Sequence, residues 1–457
     1  MQLEPRVALP ADNPLERIAA IALASSGEHA LLRFGGVVSD VSSVAYRVRN
    51  LSAVARIGDV VEHRGRSGIR RGEIVRVASD EVLVSPFDPT TDAGIGDPVF
   101  DLGPLSVAPD ATWKGRVIDA LARPVDTGAA LAAGAMVARG VPSALARQRV
   151  DAALKTGVRA IDVFTPLCFG QRLGIFAGSG VGKSTLLAML ARADAFDTVV
   201  VALVGERGRE VREFLEDTLG PKGMAKTVAV VATSDETAMM RKRAPDTAMR
   251  VAEHFRDSGD RVLLVVDSIT RFAHALREVA SGAGEPPVAR GYPASVFTEL
   301  PKLLERAGPG DKGSGSITAI ISVLVDGDDH NDPVADSVRG ILDGHIVLDR
   351  TIAEQGRYPP VNPLSSVSRL AGRAWSDTEA TLVLKLRAMI SRYEDTRDIR
   401  LLGAYQPGGD PELDVAIRQV PTIYDALRQS PQDPPSFDPF ADLAKSLKGK
   451  VNGDKVA

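Results

Sequence analysis

Cysteine, aromatic residues and long apolar stretches are all scarce in this chain of 457 residues. The single cysteine, Cys168, excludes an intramolecular disulfide and a multi-cysteine metal site, and we interpret it as a small core residue. No apolar run approaches the ~20 residues of a membrane-spanning helix. The N-terminus also lacks the basic and apolar segments of a signal peptide. We therefore expect a cytoplasmic protein.

Neither sign of charge dominates. The net charge of -4 gives no general attraction to nucleic acid or anionic lipid. Several arginines lie in the segment 63–73, but only Phe34 and Tyr46 stand upstream of it as candidates for base stacking. We therefore expect no nucleic-acid partner. The hydrophobic content of 44% is typical of a globular protein, and the length predicts two or three domains.

The hydrophobic pattern changes along the chain and predicts a multidomain α/β protein. It begins with an amphipathic helix, for which Asn13 and Pro14 supply a cap and a first-turn proline. Short alternating runs follow and predict a β-barrel, before strand and helix patterns alternate as they do in a mostly parallel sheet. A helical domain and a Pro-rich, flexible tail complete the chain. The predicted bounds of these five segments are 1–27, 28–103, 104–375, 376–429 and 430–457.

The central segment contains apolar runs that are typical of buried parallel strands. A helical face ends at Gly220 and Pro221, and Ser376 with Glu379 forms a capping box that begins the helical domain. The candidate central strands are 173–177, 199–204, 227–233, 261–267 and 317–325.

The strongest chemical signal is AGSGVGKST, which lies between a predicted strand and an apolar helix. Its glycines allow backbone N–H groups to surround phosphates, and the helix N-terminus adds a positive dipole end. Lys183 is then placed for the β and γ phosphates, and Ser184 for Mg²⁺. The strict pattern begins with glycine where this chain has Ala177, and a chance glycine turn is the alternative. The predicted nucleotide-binding residues are Gly178, Ser179, Gly180, Val181, Gly182, Lys183, Ser184 and Thr185.

Two acidic residues follow predicted strands, where ligands bind in open α/β sheets. Asp267 is placed to hold Mg²⁺ or its water, although a helix cap is the alternative interpretation. Glu206 is placed to orient or polarise a water near the γ phosphate, although an exposed loop glutamate is equally ordinary.

Arginines near these motifs admit both a structural and a catalytic interpretation. Arg207 is a candidate site residue within a cluster that otherwise fits a solvated helix face. Arg369 ends the Pro-rich run PPVNPLSSVSR, from which a rigid loop would present it to a neighbouring subunit. His330 lies among aspartates, but no His or Cys partner stands at ligand spacing, so we expect a polar loop there.

Four ordered motifs together carry a family resemblance that covers about residues 28–429. The runs GSGVGKST, GERGREVREF, LLVVDSITRFAHALRE and PPVNPLSSVSR resemble the catalytic subunits of rotary ATP synthases and their type III secretion relatives. Three further runs, GYPASVFTELPKLLERAG, DGDDHNDPVADSVRGILDGHIVLDR and LLGAYQPGGDPELDVAI, resemble the flagellar export ATPases. The resemblance implies an N-terminal β-barrel, a central RecA-like P-loop domain with a mostly parallel sheet, and a C-terminal helical domain, assembled as a homohexamer.

The resemblance also implies roles for single residues. Glu206 matches the catalytic carboxylate, Arg207 an arginine near the γ phosphate, Arg369 an intersubunit arginine finger and Tyr358 the aromatic residue that stacks on adenine. ATP and Mg²⁺ are the implied substrate and cofactor. The tail from Ser430 has no counterpart that the resemblance supplies.

The implied partners are a stator-like regulator at the N-terminal segment, a central stalk protein, membrane proteins of the export gate and complexes of chaperones with export substrates. The family accordingly places the chain at the inner membrane as a peripheral protein. Three alternatives stay open: a virulence secretion ATPase, a nucleic-acid translocase of the termination-helicase type, and a ring subunit that binds ATP without hydrolysing it.

Overall fold

The computed structural model describes residues 34–88, 92–134, 145–150, 152–325 and 332–453, with the side chains of 448–453 excepted. The predicted N-terminal helix and His330 lie outside these ranges. The chain divides into two compact units, 1–105 and 106–457. Within the described residues, no helix is both long enough and apolar enough to cross a bilayer.

The first unit contains a closed antiparallel barrel, as the alternating pattern predicts. In the second strand, Tyr46 and Val48 point into the barrel core, whereas Arg47 and Arg49 face solvent. The order is β1-β2-β5-β4-β3-β6, and pairing of β1 with β6 closes the barrel. The strands are β1 Gly35–Val41, β2 Tyr46–Arg49, β3 Asp59–Gly65, β4 Gly68–Val77, β5 Glu81–Pro86 and β6 Pro98–Pro104.

The second unit is built on a sheet whose central strands are parallel, which confirms the predicted fold class. Its order is β19-β18-β10-β17-β13-β11-β12-β7, with β16 at the side of β17. The predicted central strands β10, β11, β12, β13 and β17 occur within one residue of their expected bounds. The strands of this unit are β7 Val117–Asp119, β8 Ala153–Leu154, β9 Leu167–Cys168, β10 Arg172–Ala177, β11 Thr198–Val204, β12 Thr227–Ala232, β13 Arg261–Asp267, β14 Pro287–Ala289, β15 Tyr292–Pro293, β16 Gly308–Pro309, β17 Ser316–Leu324, β18 Gly344–Leu348 and β19 Val367–Ser368.

Helices cover the sheet, whose central strands are almost wholly buried. At the predicted helix stop, Gly220 adopts φ +70° and ends a π-helical turn, Phe214–Leu219. A new short helix then begins with Pro221 in its first turn, where a proline costs no hydrogen bond. The helices are Arg159–Phe164, Lys183–Ala191, Gly208–Glu213, Gly220–Met224, Ala238–Asp257, Ile269–Gly282, Ala294–Leu304, Pro333–Ile341 and Arg350–Glu354, with a 3-10 turn at Ala111–Trp113.

The C-terminal region is helical, as predicted, and Ser376 forms the expected capping box with Glu379. Its helices are Ala371–Ala374, Asp377–Asp395, Arg397–Leu401, Pro411–Leu427 and Pro439–Gly453. They form a core with Val163 and Phe164 from the helix that precedes the phosphate-binding strand. The C-terminal helices are therefore packed against the nucleotide-binding part of their unit.

The prediction of a flexible tail from residue 430 is wrong for its described part. Pro439–Gly453 is a helix, and its Leu443 is only 3% exposed in the C-terminal core. Ser436 donates its N–H to the carbonyl of Gly157 at 3.1 Å, which fixes the connecting segment. The Pro-rich composition suggested disorder, but Phe440, Leu443 and Leu447 supply an apolar face that the preceding helices cover.

Candidate active site

The phosphate loop lies where the sheet predicts it, after the buried strand β10. Gly180 and Gly182 adopt φ of +77° and +96°, a region that favours glycine, and Gly182 then caps the helix Lys183–Ala191. Ala177 is the last residue of β10, in register with Leu324 and Leu348. Because Ala177 lies in a strand, its position does not need the glycine of the strict pattern.

Lys183 and Asp267 meet at the carboxyl edge of the sheet. The Lys183 ammonium lies 2.5 Å from Asp267 Oδ1, and both side chains are buried. The Ser322 hydroxyl donates to the same oxygen at 2.8 Å. Both of these contacts use Oδ1, and no hydrogen bond to Asp267 Oδ2 comes from the described residues. Ser184, which follows Lys183 in the chain, is exposed. A carboxylate oxygen and a serine hydroxyl are both hard oxygen donors of the kind that fits Mg²⁺.

Asp267 also lies at the start of a helix, as the alternative interpretation expected. The cap itself is Ser268, whose hydroxyl accepts the N–H of Arg271. The Asp267 carboxylate instead faces Lys183 and Ser322. A capping role therefore does not account for the orientation of the Asp267 side chain.

Glu206 follows β11 at the same edge and is 14% exposed at its side chain. Its Oε2 lies 3.5 Å from Arg271 Nη2, and another nitrogen of Arg271 donates to the carbonyl of Gly205. Burial, the charge of Asp267 and a side-chain hydrogen bond with Glu210 together raise the pKa of Glu206 to about 7, against the opposing charges of Lys183 and Arg271. A carboxylate with such a pKa is suited to exchange a proton near neutral pH.

The geometry adds two residues that the sequence reasoning missed. Arg271 orients Glu206, and Ser322 orients Asp267. Arg271 lies four residues after Asp267, in the first turn of the next helix. The sequence motif alone could therefore have suggested it. Ser322 lies inside an apolar strand, and only the pairing of β13 with β17 brings it close to Asp267.

The structure separates Arg207 from this group. Its side chain is 76% exposed and pairs with Glu210 at 3.4 Å, at the N-cap of the helix Gly208–Glu213. This surface pairing is what the alternative interpretation of the arginine cluster expects. Any contact of Arg207 with a phosphate requires a different side-chain orientation.

Arg369 directly follows the edge strand β19 and is exposed. Its backbone N–H donates to the backbone carbonyl of Asp343 at 2.9 Å, which anchors the chain, while the side chain is exposed. Among the described residues, no carboxylate forms an ion pair with the Arg369 guanidinium. This exposed cation on an anchored backbone is available to a neighbouring molecule.

Tyr358 lines a pocket of about 400 Å³ beside the phosphate loop. The ring is half exposed, and its edge faces Gly182. The carbonyl of Tyr358 accepts the N–H of Gln429 at 2.9 Å, and residues between the helices Pro411–Leu427 and Pro439–Gly453 also line the pocket. An apolar pocket next to a phosphate loop has the size and place for a planar base. Other lining residues include Thr185, Met189, Pro360, Arg428 and Pro431.

Comparisons with known proteins agree with this arrangement. Residues 157–368 match the model of the ATP synthase alpha/beta family, nucleotide-binding domain, and residues 375–445 match the T3SS EscN ATPase C-terminal domain. The second match extends well into the segment for which the sequence suggested a flexible tail.

Curated relatives match over almost the whole chain. A flagellum-specific ATP synthase of Rhizobium meliloti (strain 1021) is 62% identical over 92% of this chain and 91% of its own length. A relative of the same name from Agrobacterium fabrum (strain C58 / ATCC 33970) is 60% identical over 91% of this chain and 88% of its own length. A type 3 secretion system ATPase of Xanthomonas euvesicatoria is 41% identical over 91% of this chain and 94% of its own length.

Two solved structures show the same fold. The assembled ATPase EscN from the type III secretion system of enteropathogenic E. coli matches with a TM-score of 0.84 and 39% identity, over 90% of this chain and 100% of that chain. EscN in complex with its central stalk EscO matches with a TM-score of 0.81 and 39% identity, over the same shares of the two chains. Sequence, fold and site therefore agree that the chain is an ATP-hydrolysing enzyme that belongs to the ATP synthase alpha/beta family, in the branch of the flagellum-specific and type III secretion ATPases.

Proposed function

We propose that this protein hydrolyses Mg-ATP as a homohexameric ring and thereby energises or primes flagellar protein export. The observation that carries the proposal is the 62% identity with a flagellum-specific ATP synthase across 92% of the chain. The type 3 secretion system ATPase of Xanthomonas euvesicatoria is less similar, at 41%. Since the Rhizobium relative covers both units of this chain, the proposal applies to the whole protein.

The proposed reaction uses residues that meet at the carboxyl edge of the sheet. The backbone of the loop 178–182 and Lys183 bind the triphosphate, and the pocket beside Tyr358 holds the base. Ser184 and Asp267 would hold Mg²⁺, which supplies charge neutralisation on the phosphates when bound. Glu206 accepts a hydrogen bond from the attacking water and aligns it with the outermost phosphorus.

Arg369 has a place in this reaction only if subunits meet. Arg369 is exposed, and its backbone is anchored next to the outermost strand β19. The phosphate loop lies elsewhere, at the carboxyl ends of the central strands. We propose that Arg369 stabilises transition-state charge at the site of a neighbouring subunit, a role worth roughly 10³ to 10⁵ in rate. Arg207 would join such a site after a side-chain rotation.

The proposed partners follow from the relatives. The solved complex of EscN with its central stalk EscO supports a stalk partner for the C-terminal helices of the ring. A stator-like regulator at residues 1–27, export gate proteins and chaperone-bound substrates complete the proposal, with peripheral association at the inner membrane. No nucleic-acid partner belongs to it.

Genetic complementation tests the biological role. A deletion strain that regains swimming with the parent gene, but not with a gene encoding Glu206→Gln, supports ATP-driven flagellar export. A deletion strain that swims normally and loses secretion of effector proteins would instead establish the virulence alternative.

Two measurements on the purified protein address the remaining alternatives. ATPase activity that RNA stimulates with a steep salt dependence would favour the translocase. Full turnover by Glu206→Gln would remove Glu206 from the proposed reaction, and absence of turnover by the assembled parent would favour a non-hydrolysing ring subunit.

A further inference from the structure

Arg387 is a partly buried cation without an acidic partner among the described residues. It belongs to the helix Asp377–Asp395, and burial lowers the pKa of its guanidinium. Its Nε has no hydrogen-bond partner within the described part of the chain. A guanidinium stays charged even in such surroundings, so its hydrogen bonds to neutral acceptors are charge-assisted.

One nitrogen of Arg387 joins two separate segments to the C-terminal helix. Nη2 donates to the carbonyl of Phe164 at 2.7 Å and to the carbonyl of Ser366 at 3.0 Å. Phe164 ends the helix that leads to the phosphate-binding strand, and its side chain is 1% exposed in the C-terminal core. Ser366 lies three residues before Arg369.

The segment that contains Ser366 is held as one stiff unit. The Ser366 hydroxyl donates to the carbonyl of Asn362 at 2.6 Å and accepts the N–H of Val347 at 3.0 Å. Asn362 in turn donates from its side-chain amide to Asp349 at 3.0 Å. Because Ser366 is fully buried and bonded on both sides, a shift of its carbonyl displaces the backbone toward Arg369.

We propose that Arg387 is a positioning residue for Arg369, through which the C-terminal helix Asp377–Asp395 controls how the arginine is presented to a neighbouring subunit. This inference rests on the proposed role of Arg369 in trans. The C-terminal helices are the part of the ring that would meet a stalk, so a movement of this helix is transferred through Arg387 to the segment 362–369. A misplacement of about 1 Å at a catalytic group can cost roughly 100-fold in rate.

The test compares Arg387→Met with Arg387→Lys. The methionine retains the apolar stem and removes the donors, whereas the lysine retains a charge and donors that reach toward the two carbonyls. Arg392→Met is the matched control, because Arg392 lies on the same helix and pairs at the surface with Asp410 and Glu412. Surface pairs of this kind contribute little.

ATPase activity is measured against protein concentration, with the assembled fraction determined by mass. For Arg387→Met we expect kcat per assembled subunit to fall about tenfold or more while KM for ATP changes less than about twofold, the pattern of a contact made only in the transition state. Arg387→Lys should recover most of the loss, and Arg392→Met should equal the parent.

A double variant separates this proposal from the one on which it rests. If Arg387 acts through Arg369, adding Arg387→Met to Arg369→Ala lowers kcat no further. Independent, multiplicative losses would overturn the positioning role. The positioning role would also be overturned if a smaller assembled fraction or a lower unfolding temperature fully accounted for the loss of activity in Arg387→Met. An Arg369→Ala variant with parental kcat would refute the proposed trans role itself.

Discussion

At the scale of single residues, the buried pair of Lys183 and Asp267 is a constraint on stability as well as a part of the proposed active site. Each side chain compensates the charge of the other at 2.5 Å, in a position that water scarcely reaches. Removing one partner of such a pair leaves an uncompensated charge in a site of low dielectric constant, which is more costly than removing both.

Lys183→Ala should therefore lose both activity and stability. We expect kcat/KM to fall at least about 100-fold, because a phosphate donor is lost. The free energy of unfolding should fall by roughly 3 to 5 kcal/mol, as for other broken buried pairs. Urea unfolding of Lys183→Ala/Asp267→Asn should show part of this stability restored. A double variant no more stable than Lys183→Ala would show that an uncompensated Asp267 charge is not the cause of the lost stability.

The raised pKa of Glu206 predicts a pH dependence. Its ionised form is the one that accepts a proton, and the ionised fraction rises with pH through a pKa of about 7. We therefore expect kcat/KM to decrease roughly fivefold between about pH 7 and 6, and to level off above about pH 8. Nucleotide affinity measured over the same range separates this effect from titration of ATP itself. A profile that is flat across this range would contradict the assignment.

At the scale of elements, the helix Pro439–Gly453 shows why composition misjudged the tail. The Pro-rich run before it contains a turn, in which Asp433 donates its N–H to the carbonyl of Ser430. It is tied at Ser436 to Gly157 and leads into a helix with an apolar face. The segment 428–433 also lines the pocket beside Tyr358. The segment that anchors the tail therefore also shapes this pocket.

Leu443→Ala tests this packing. Its side chain is 3% exposed, so truncation should lower the free energy of unfolding by roughly 2 to 5 kcal/mol. Lys445→Ala on the exposed face of the same helix is the control, with an expected change within about 0.5 kcal/mol. Chemical denaturation measures both. Equal stability of the two variants would mean that this helix does not pack as described.

At the scale of the whole molecule, the proposed role of Arg369 in a neighbouring subunit predicts that assembly is a condition for full activity. Specific ATPase activity of the parent should rise cooperatively with protein concentration as rings form. In Arg369→Ala this rise should be lost, with a decrease of roughly 10³-fold or more in the assembled state, because the transition-state charge lacks its partner. Binding of ATP to the monomer should hardly change.

Arg209→Ala is the control for that experiment. Arg209 is 80% exposed and pairs only at the surface, with Glu213 at 3.4 Å. Its specific activity should follow the parent at every concentration. If Arg369→Ala did so as well, with rings verified by mass, a finger in trans would be excluded.

The sequence by itself determined the barrel, the central strands and the phosphate loop. Each depends on local information: alternation places Tyr46 and Val48 inside, apolar runs mark buried strands, and glycines such as Gly182 permit the turn before Lys183. The end of a predicted strand made Glu206 a candidate, and a Pro-rich run did so for Arg369. The family resemblance added Tyr358, and the roles of all three residues remain predictions.

Only the tertiary structure decided which side chains meet. Ser322 approaches Asp267 because β13 and β17 are paired, and Arg387 reaches Ser366 because a C-terminal helix packs beside Phe164. It also placed Arg207 at the surface and ordered the tail as a helix. Such contacts join residues far apart in the chain, and their energies come from burial and charge in three dimensions, which no local pattern encodes.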